Sequence, residues 1–184
     1  MTRCYIEETI QGDIQSMDNN IILRSVSKEE YGKVRELAET IWPVCYRNIL
    51  SEEQINYMMD MMYSENVISE ETADGVNYCF IECDRIICGY LAWGVLHSEP
   101  SSAKLHKLYL LSEKHGRGIG SRAIELVKQQ VKAIGCSRLL LNVNRQNTNA
   151  IKCYTKNGFT VVRHENNDIG NGFFMTDYVM ETTV

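Results

Sequence analysis

The chain has 184 residues, 44% of them hydrophobic, enough to build a core of its own as one domain over 1–184. Its net charge of −5, and the lack of any nucleic-acid reading motif, speak against a nucleic-acid partner. Residues 1–20 carry Glu7, Glu8, Asp13 and Asp18 without an apolar run, so they read as an N-terminal extension, not a signal peptide or membrane span.

Residues 21–26 predict a first strand. Ser27 is placed to cap a helix running to about residue 41, with Glu29 and Glu30 in the first turn, where the helix dipole favours acids. Pro43 is expected to end it. Ser51-Glu52-Glu53-Gln54 has the spacing of a capping box and opens a second helix to about residue 63. Met58, Met59, Met61 and Met62 give that helix a pliable apolar surface. Residues 77–82 and 86–97 predict an antiparallel pair turning at Asp84-Arg85. A strand over 104–111 leads into a glycine-rich turn, then a helix over 121–134 and a buried strand over 137–143. A helix over 147–156 and strands over 159–164 and 173–181, joined through Asn171-Gly172, complete the chain. The order β-α-α-β-β-β-α-β-α-β-β is an α+β layout, a mixed central sheet of about seven strands flanked by about four helices.

Seven cysteines form an odd, irregularly spaced set without Cys-x-x-Cys, and no histidines stand near them at zinc-like spacing. They read as reduced thiols of a cytoplasmic protein that holds no metal.

The most informative stretch is Leu108-Tyr109-Leu110-Leu111-Ser112-Glu113-Lys114-His115-Gly116-Arg117-Gly118-Ile119-Gly120. An apolar run stops, and three glycines open a long amphipathic segment from Ser121. Glycine lets the backbone approach a ligand closely, and the free N–H groups of a helix start favour phosphate oxygens. A P-loop would need Lys and Ser/Thr after its last glycine, but Ser121 and Arg122 follow Gly120. A dinucleotide fold would need a third glycine at 121, near the start of the chain.

The string His115-Gly116-Arg117-Gly118-Ile119-Gly120 resembles the acetyl-coenzyme A loop of the GNAT acetyltransferases, Gln/Arg-x-x-Gly-x-Gly/Ala, with histidine at its first position. Downstream, Asn147-Thr148-Asn149-Ala150-Ile151-Lys152-Cys153-Tyr154-Thr155-Lys156-Asn157-Gly158-Phe159 is similar to the second signature of that family, Asn-x-x-Ala-x-x-x-Tyr-x-x-x-Gly-Phe. The resemblance covers about residues 76 to 182 and implies the GNAT acyl-CoA N-acyltransferase fold. It also implies an N-acetyltransferase that uses acetyl-CoA as co-substrate. In that fold the two strands flanking the long helix splay apart and pantetheine enters the wedge. Main-chain groups of Leu108, Tyr109 and Leu110 would pair with it, so side-chain identity there should matter less than backbone geometry. The loop residues His115 to Gly120 and Ser121 would cradle the phosphates. Asn147 and Asn149 would either contact the cofactor or cap their helix.

Acetyl transfer to an amine needs a polarised carbonyl, a deprotonated amine, a protonated leaving thiolate and attack geometry. A backbone N–H near Leu108 to Leu110 is the candidate for the carbonyl. Tyr154 matches the family tyrosine that protonates the sulfur, and core packing on an amphipathic helix is its other reading. His106 is the candidate base, with His97 and Glu82 as alternatives. Related enzymes often carry a glutamate on this strand; here Lys104, His106 and Lys107 stand nearby.

Charge is divided along the chain. Residues 1–103 hold 7 Lys/Arg against 18 Asp/Glu, net −11, whereas 104–163 hold 12 against 2, net +10. The basic block coincides with the glycine loop, where it would steer a polyanion. Between Arg47 and Arg85 there are 9 acids and no Lys or Arg. In the GNAT fold the first two helices border the acceptor, so an acidic rim there favours a small cationic amine such as a polyamine, with Trp42, Tyr46 and Glu82 as its contacts. The stretch 42–64 resembles bacterial polyamine-type GNAT enzymes. Protein N-terminal or lysine acetylation, or a non-catalytic acyl-CoA sensor, are the alternatives. A homodimer stays open.

Overall fold

The computed structural model describes residues 20–184. The N-terminal extension lies outside the described residues, Asn20 aside. The elements are β1 (Ile21–Ser25), α1 (Tyr31–Cys45) behind a 3-10 turn, α2 (Glu52–Tyr63), α3 (Glu65–Ala73), β2 (Asn77–Cys83), β3 (Ile86–Leu96) and β4 (Glu99–Leu110). They continue with α4 (Ile119–Ala133), β5 (Arg138–Asn144), α5 (Thr148–Lys156), β6 (Thr160–Gly170) and β7 (Phe173–Thr183). The seven strands form one sheet in the order β1-β2-β3-β4-β5-β7-β6. Only β4 and β5 are parallel neighbours; the other pairs are antiparallel.

Alternation along the strands divides the core into two layers. Leu91, Leu105, Leu139, Leu141 and Val143 face α4 and α5. Tyr78, Phe80, Tyr90 and Ala92 face the helices α1 to α3. The hairpin between β2 and β3 turns at Asp84 and Arg85, whose φ values of 53° and 68° match a primed two-residue turn.

The sequence expects Pro43 to end the first helix, but α1 runs through it to Cys45. Proline deprives the carbonyl four residues earlier of its donor. That carbonyl belongs to Glu39, and both residues are exposed, so the freed group lies where water satisfies it. Buried Ile41 and Trp42 hold the last turn in place, and the Tyr46 N–H closes it on the Trp42 carbonyl at 2.9 Å.

A fifth helix, α3, is absent from the sequence expectation. Ser64 starts it by accepting from the Val67 N–H at 3.3 Å, and only Ile68 is buried along it, too little for a periodic signal. The capping box at Ser51 forms by half. Ser51 Oγ accepts from the Gln54 N–H at 3.1 Å, while the Gln54 amide donates to the Phe174 carbonyl at 3.0 Å. Tyr57 donates to the Ile169 carbonyl at 2.5 Å, so α2 is tied to the β6–β7 hairpin from two positions.

Two irregularities break the regular sheet beside the glycine loop. The parallel ladder joins 102–105 to 138–141 and stops there, so the remainder of β4 and β5 diverges. In addition, β4 bulges against β3: Ala92 pairs with Lys107 and Trp93 with Leu105, which leaves His106 as the extra residue.

Candidate active site

The divergence of β4 and β5 opens a cleft of about 870 Å³ that runs from the glycine loop to the ends of α1 and α2. Lys107 of β4, Asn142 of β5, Asn147 and Tyr154 at α5, Trp42 and Tyr46 of α1 and Asp177 of β7 all line it. Its loop end is built from glycine. Gly116 and Gly118 have φ values of 74° and 78°, and a Cβ added at either would meet nothing within 4 Å. Gly118 caps α4, whose first helical bond runs from the Arg122 N–H to the Gly118 carbonyl. The N–H groups of Ile119, Gly120 and Ser121 therefore find no acceptor among the described residues. Three free donors at the positive end of a 15-residue helix suit an anion. A Cβ at Gly120 would make only ordinary contacts, 3.6 Å from Leu110 Cδ1 and 3.9 Å from Cys153 Sγ.

His115 is exposed, and its Nε2 lies 3.1 Å from the Leu110 carbonyl, closing the loop onto the end of β4. Ser121 Oγ accepts from Asn157 at 3.0 Å. Asn147 caps α5 by accepting from the Ala150 N–H at 3.1 Å, and its amide donates to Cys45 Sγ at 3.7 Å. Asn149 stays exposed at the rim of the cleft.

Tyr154 is buried, its ring set edge-on against Phe159 with centroids 5.7 Å apart. No described residue hydrogen-bonds its hydroxyl. Burial, with the neighbouring Tyr46, Cys153 and Cys45, pushes its pKa above the usual tyrosine range, so it stays protonated. His106 is exposed by surface area and opens into the cleft, whose walls nonetheless crowd its ring. Desolvation, with the charges of Lys104 and Lys107, lowers its pKa to about 4, against a smaller opposing pull from Glu71. The imidazole is neutral at physiological pH.

The opposite wall is aromatic. Trp42 packs on Tyr46 at 4.9 Å and on Tyr63 and Tyr109 at 5.5 Å, and Tyr109 stacks on Tyr90 at 5.4 Å. The hydroxyls of Tyr46 and Tyr109 share a hydrogen bond of 3.0 Å, and Tyr90 donates to Tyr63 at 2.8 Å. This corrects one expectation: the Tyr109 side chain is a structural member of the cleft wall, so its identity matters as well as its backbone. Beneath the wall, Lys107 is 4% exposed and donates to Glu71 at 2.7 Å and to the Tyr78 hydroxyl at 2.6 Å. Tyr78 in turn donates to Glu71.

Of the residues singled out from the sequence, Trp42, Tyr46, His106, Leu108, Tyr109, Leu110, His115, Gly116, Gly118, Ile119, Gly120, Ser121, Asn147, Asn149 and Tyr154 all line this one cleft. Two do not. Glu82 is 9% exposed on β2, held by Arg24 of the edge strand β1 at 2.6 Å, and Arg24 also pairs with Glu30 at 2.9 Å. Glu82 is thus an ion-pair member outside the cleft lining. Arg117 projects from the loop, exposed, outside the cleft lining. His97 lies at the β3–β4 turn, its Nε2 3.2 Å from the Asp74 carbonyl, away from the cleft. Sequence reasoning passed over Asp177, whose signal was a charged residue inside an apolar strand. It also passed over Lys107 as a buried cation, because the bulge that turns it inward leaves no local pattern.

Among the described residues, no helix is long and apolar enough to cross a membrane, and no three His, Cys, Asp or Glu side chains gather as metal ligands.

Residues 33–159 match the acetyltransferase (GNAT) family. The spermidine N(1)-acetyltransferase of Thermoplasma acidophilum is 27% identical over 155 residues, 81% of this chain and 94% of that protein. The crystal structure of the PaiA N-acetyltransferase from Thermoplasma acidophilum in complex with coenzyme A superposes with a TM-score of 0.73 at 25% identity, over 89% of this chain and 99% of that one. A spermidine N-acetyltransferase chimera of Vibrio cholerae SpeG and hSSAT has a TM-score of 0.65 over 89% of this chain and 95% of that one, and at 13% identity it shares the fold alone. The chain belongs to the GNAT acetyltransferase family.

Proposed function

We propose that this acetyltransferase moves the acetyl group of acetyl-coenzyme A onto a primary amine of a small cationic acceptor, in the class of the polyamines, by direct attack in a ternary complex. The observation that carries the reading is the wedge between β4 and β5, open at the glycine loop and continuous with a cleft walled by aromatic rings. The residues present fit such a ligand. Free N–H groups at 119–121 suit the pyrophosphate, and the separated strands suit the extended pantetheine arm. The family relative that acts on spermidine supports the acceptor class.

Bound acetyl-coenzyme A supplies an electrophilic thioester carbon and a thiolate leaving group. The acceptor nitrogen bonds to that carbon while the carbon–sulfur bond breaks. Tyr154 donates its proton to the departing sulfur and is well suited to it, being protonated and unengaged. Main-chain N–H groups of β4 near 108–110 polarise the carbonyl. His106 receives the amine proton. With a pKa of about 4 it is a weak base for a free alkylammonium, so it takes the proton only as the new bond makes the nitrogen acidic.

The test is thiol release from acetyl-coenzyme A against a panel of alkylamines, diamines and polyamines, run beside peptides with free N-termini or lysines. Turnover concentrated on polyamines is the expected result. Turnover confined to peptides would replace it with protein acetylation, and coenzyme A binding without turnover on any acceptor would leave an acyl-coenzyme A sensor.

A further inference from the structure

Asp177, in the middle of β7, is 3% exposed, yet it lines the cleft. In register it stands between Asn144 of β5 and Glu165 of β6, so the three side chains share one face of the sheet. Its acidic neighbour is fully engaged. Glu165 accepts from Asn142 at 2.8 Å and from Arg163 at 2.8 Å. Among the described side chains the donor nearest Asp177 is the Asn142 amide, which it shares with Glu165. Lys104 and Arg145 face it and favour its charge, as does the Asn142 amide, while Glu165 opposes it; no described residue forms an ion pair with it. Burial dominates these influences and raises its pKa.

A buried carboxylate without a paired counter-charge is costly, and such a group persists where a bound molecule supplies the counter-charge. The ligand of the glycine loop is an anion and would be repelled. What pairs with Asp177 is a cation entering from the acceptor side, past Tyr46, whose phenol already feels the Asp177 charge. The half-buried Tyr46 ring along the same cleft, backed by Trp42, suits an alkylammonium chain.

We propose that Asp177 is the floor of a cation subsite that holds an ammonium group of the acceptor other than the one being acetylated. The acceptor is accordingly an alkyl diamine or polyamine, whose second nitrogen stays charged and anchored while the first reaches the thioester. This rests on the small-amine acetyltransferase reading and adds to it the residue that selects the substrate. Asp177 is a positioning residue in this scheme and moves no proton.

The experiment compares the full chain with its Asp177→Asn and Asp177→Glu variants, using 1,4-diaminobutane, spermidine and butylamine. Coenzyme A binding, read by thermal shift, should be alike in all three proteins. For Asp177→Asn, KM for the diamine and for spermidine should rise about 10- to 100-fold, as for the loss of one partner of a buried charge pair. KM for butylamine, which has no second ammonium, should change little, and Asp177→Glu should recover part of the loss. Without any turnover, spermidine should raise the melting temperature of the wild-type coenzyme A complex and fail to raise that of Asp177→Asn. Unchanged spermidine binding in Asp177→Asn would overturn the subsite, as would an equal loss on butylamine and diamine, or a fall in kcat with KM intact. Wild-type protein whose coenzyme A complex binds spermidine but which releases no thiol from acetyl-coenzyme A with spermidine would refute the small-amine acetyltransferase reading and leave the subsite standing. A wild-type complex that spermidine does not stabilise would refute the subsite alone.

Discussion

Replacing Tyr154 by Phe deletes one oxygen from the cleft. The ring keeps its edge-on contact with Phe159 at 5.7 Å. Because no described residue hydrogen-bonds the hydroxyl, its removal orphans no other group, and stability should change by no more than about 0.5 kcal/mol. Coenzyme A affinity should hold for the same reason. The rate should not. A thiol of pKa about 8.5 leaves tolerably as a thiolate, so the acid contributes a moderate factor, about 10²- to 10⁴-fold in kcat. That is about 2.7 to 5.5 kcal/mol of transition-state stabilisation, far more than the change in stability. The fall should be steeper with poor acceptors, where sulfur departure limits the rate. Since burial raises the Tyr154 pKa, the proton remains available through mildly alkaline pH, and wild-type kcat should show no loss there from its ionisation. The assay is thiol release at saturating acetyl-coenzyme A, beside melting temperatures of both proteins. A folded Phe variant with full kcat on its best amine would reduce Tyr154 to a packing residue. A variant that lost coenzyme A affinity would show that the hydroxyl positions the thioester instead.

Acetyl-coenzyme A at about 100 times its Kd should stabilise the protein by about 2.7 kcal/mol, and no thermal shift at millimolar ligand would remove the cofactor reading. Gly120→Ala should fold normally and keep its coenzyme A affinity, since its Cβ meets only ordinary contacts and the loop pattern admits alanine there, whereas Gly120→Val should bind coenzyme A more weakly; Gly118→Val should also lose about 1–2 kcal/mol of stability because φ there is +78°. Urea unfolding and ligand titration separate the two. Glu71→Ala leaves the Lys107 ammonium buried with the Tyr78 hydroxyl but no counter-charge and should cost about 3 kcal/mol, at the low end because Glu71 is one-third exposed; Glu71→Ala with wild-type stability in urea would contradict this. The His106 ring should titrate near pH 4 by NMR, below the usual 6.5, because the folded protein favours its neutral form. Its contribution to stability is therefore full above pH 6.5 and lost as pH falls towards 4. A midpoint at 6.5 would mean that the cleft does not desolvate it.

The loop and helix starts were legible in the sequence because their signals are local. Gly116 and Gly118 need positive φ, Ser51 and Asn147 cap the helices behind them, and Asp84-Arg85 marks the hairpin turn by its place between two apolar runs. Periodicity likewise carried the strand order of an α+β sheet, and with it the elements that bring Tyr154 and the glycine loop to one cleft. Pro43 misled for an equally physical reason: whether a freed carbonyl breaks a helix depends on whether water reaches it, which is a matter of tertiary placement. The helix α3 buries one side chain and so left no period to read. The bulge at His106 inserts a single residue against a partner strand and has no signature in its own segment. Glu82 reads from its own segment as an acceptor contact, whereas Arg24, 58 residues away in sequence, holds it in an ion pair. Asp177 is informative only through the packing, which buries its carboxylate in the cleft without an ion pair among the described residues. Local chemistry, then, is written in the sequence, whereas the pairing or isolation of a charge belongs to the fold, because its partners come from strands and helices distant along the chain.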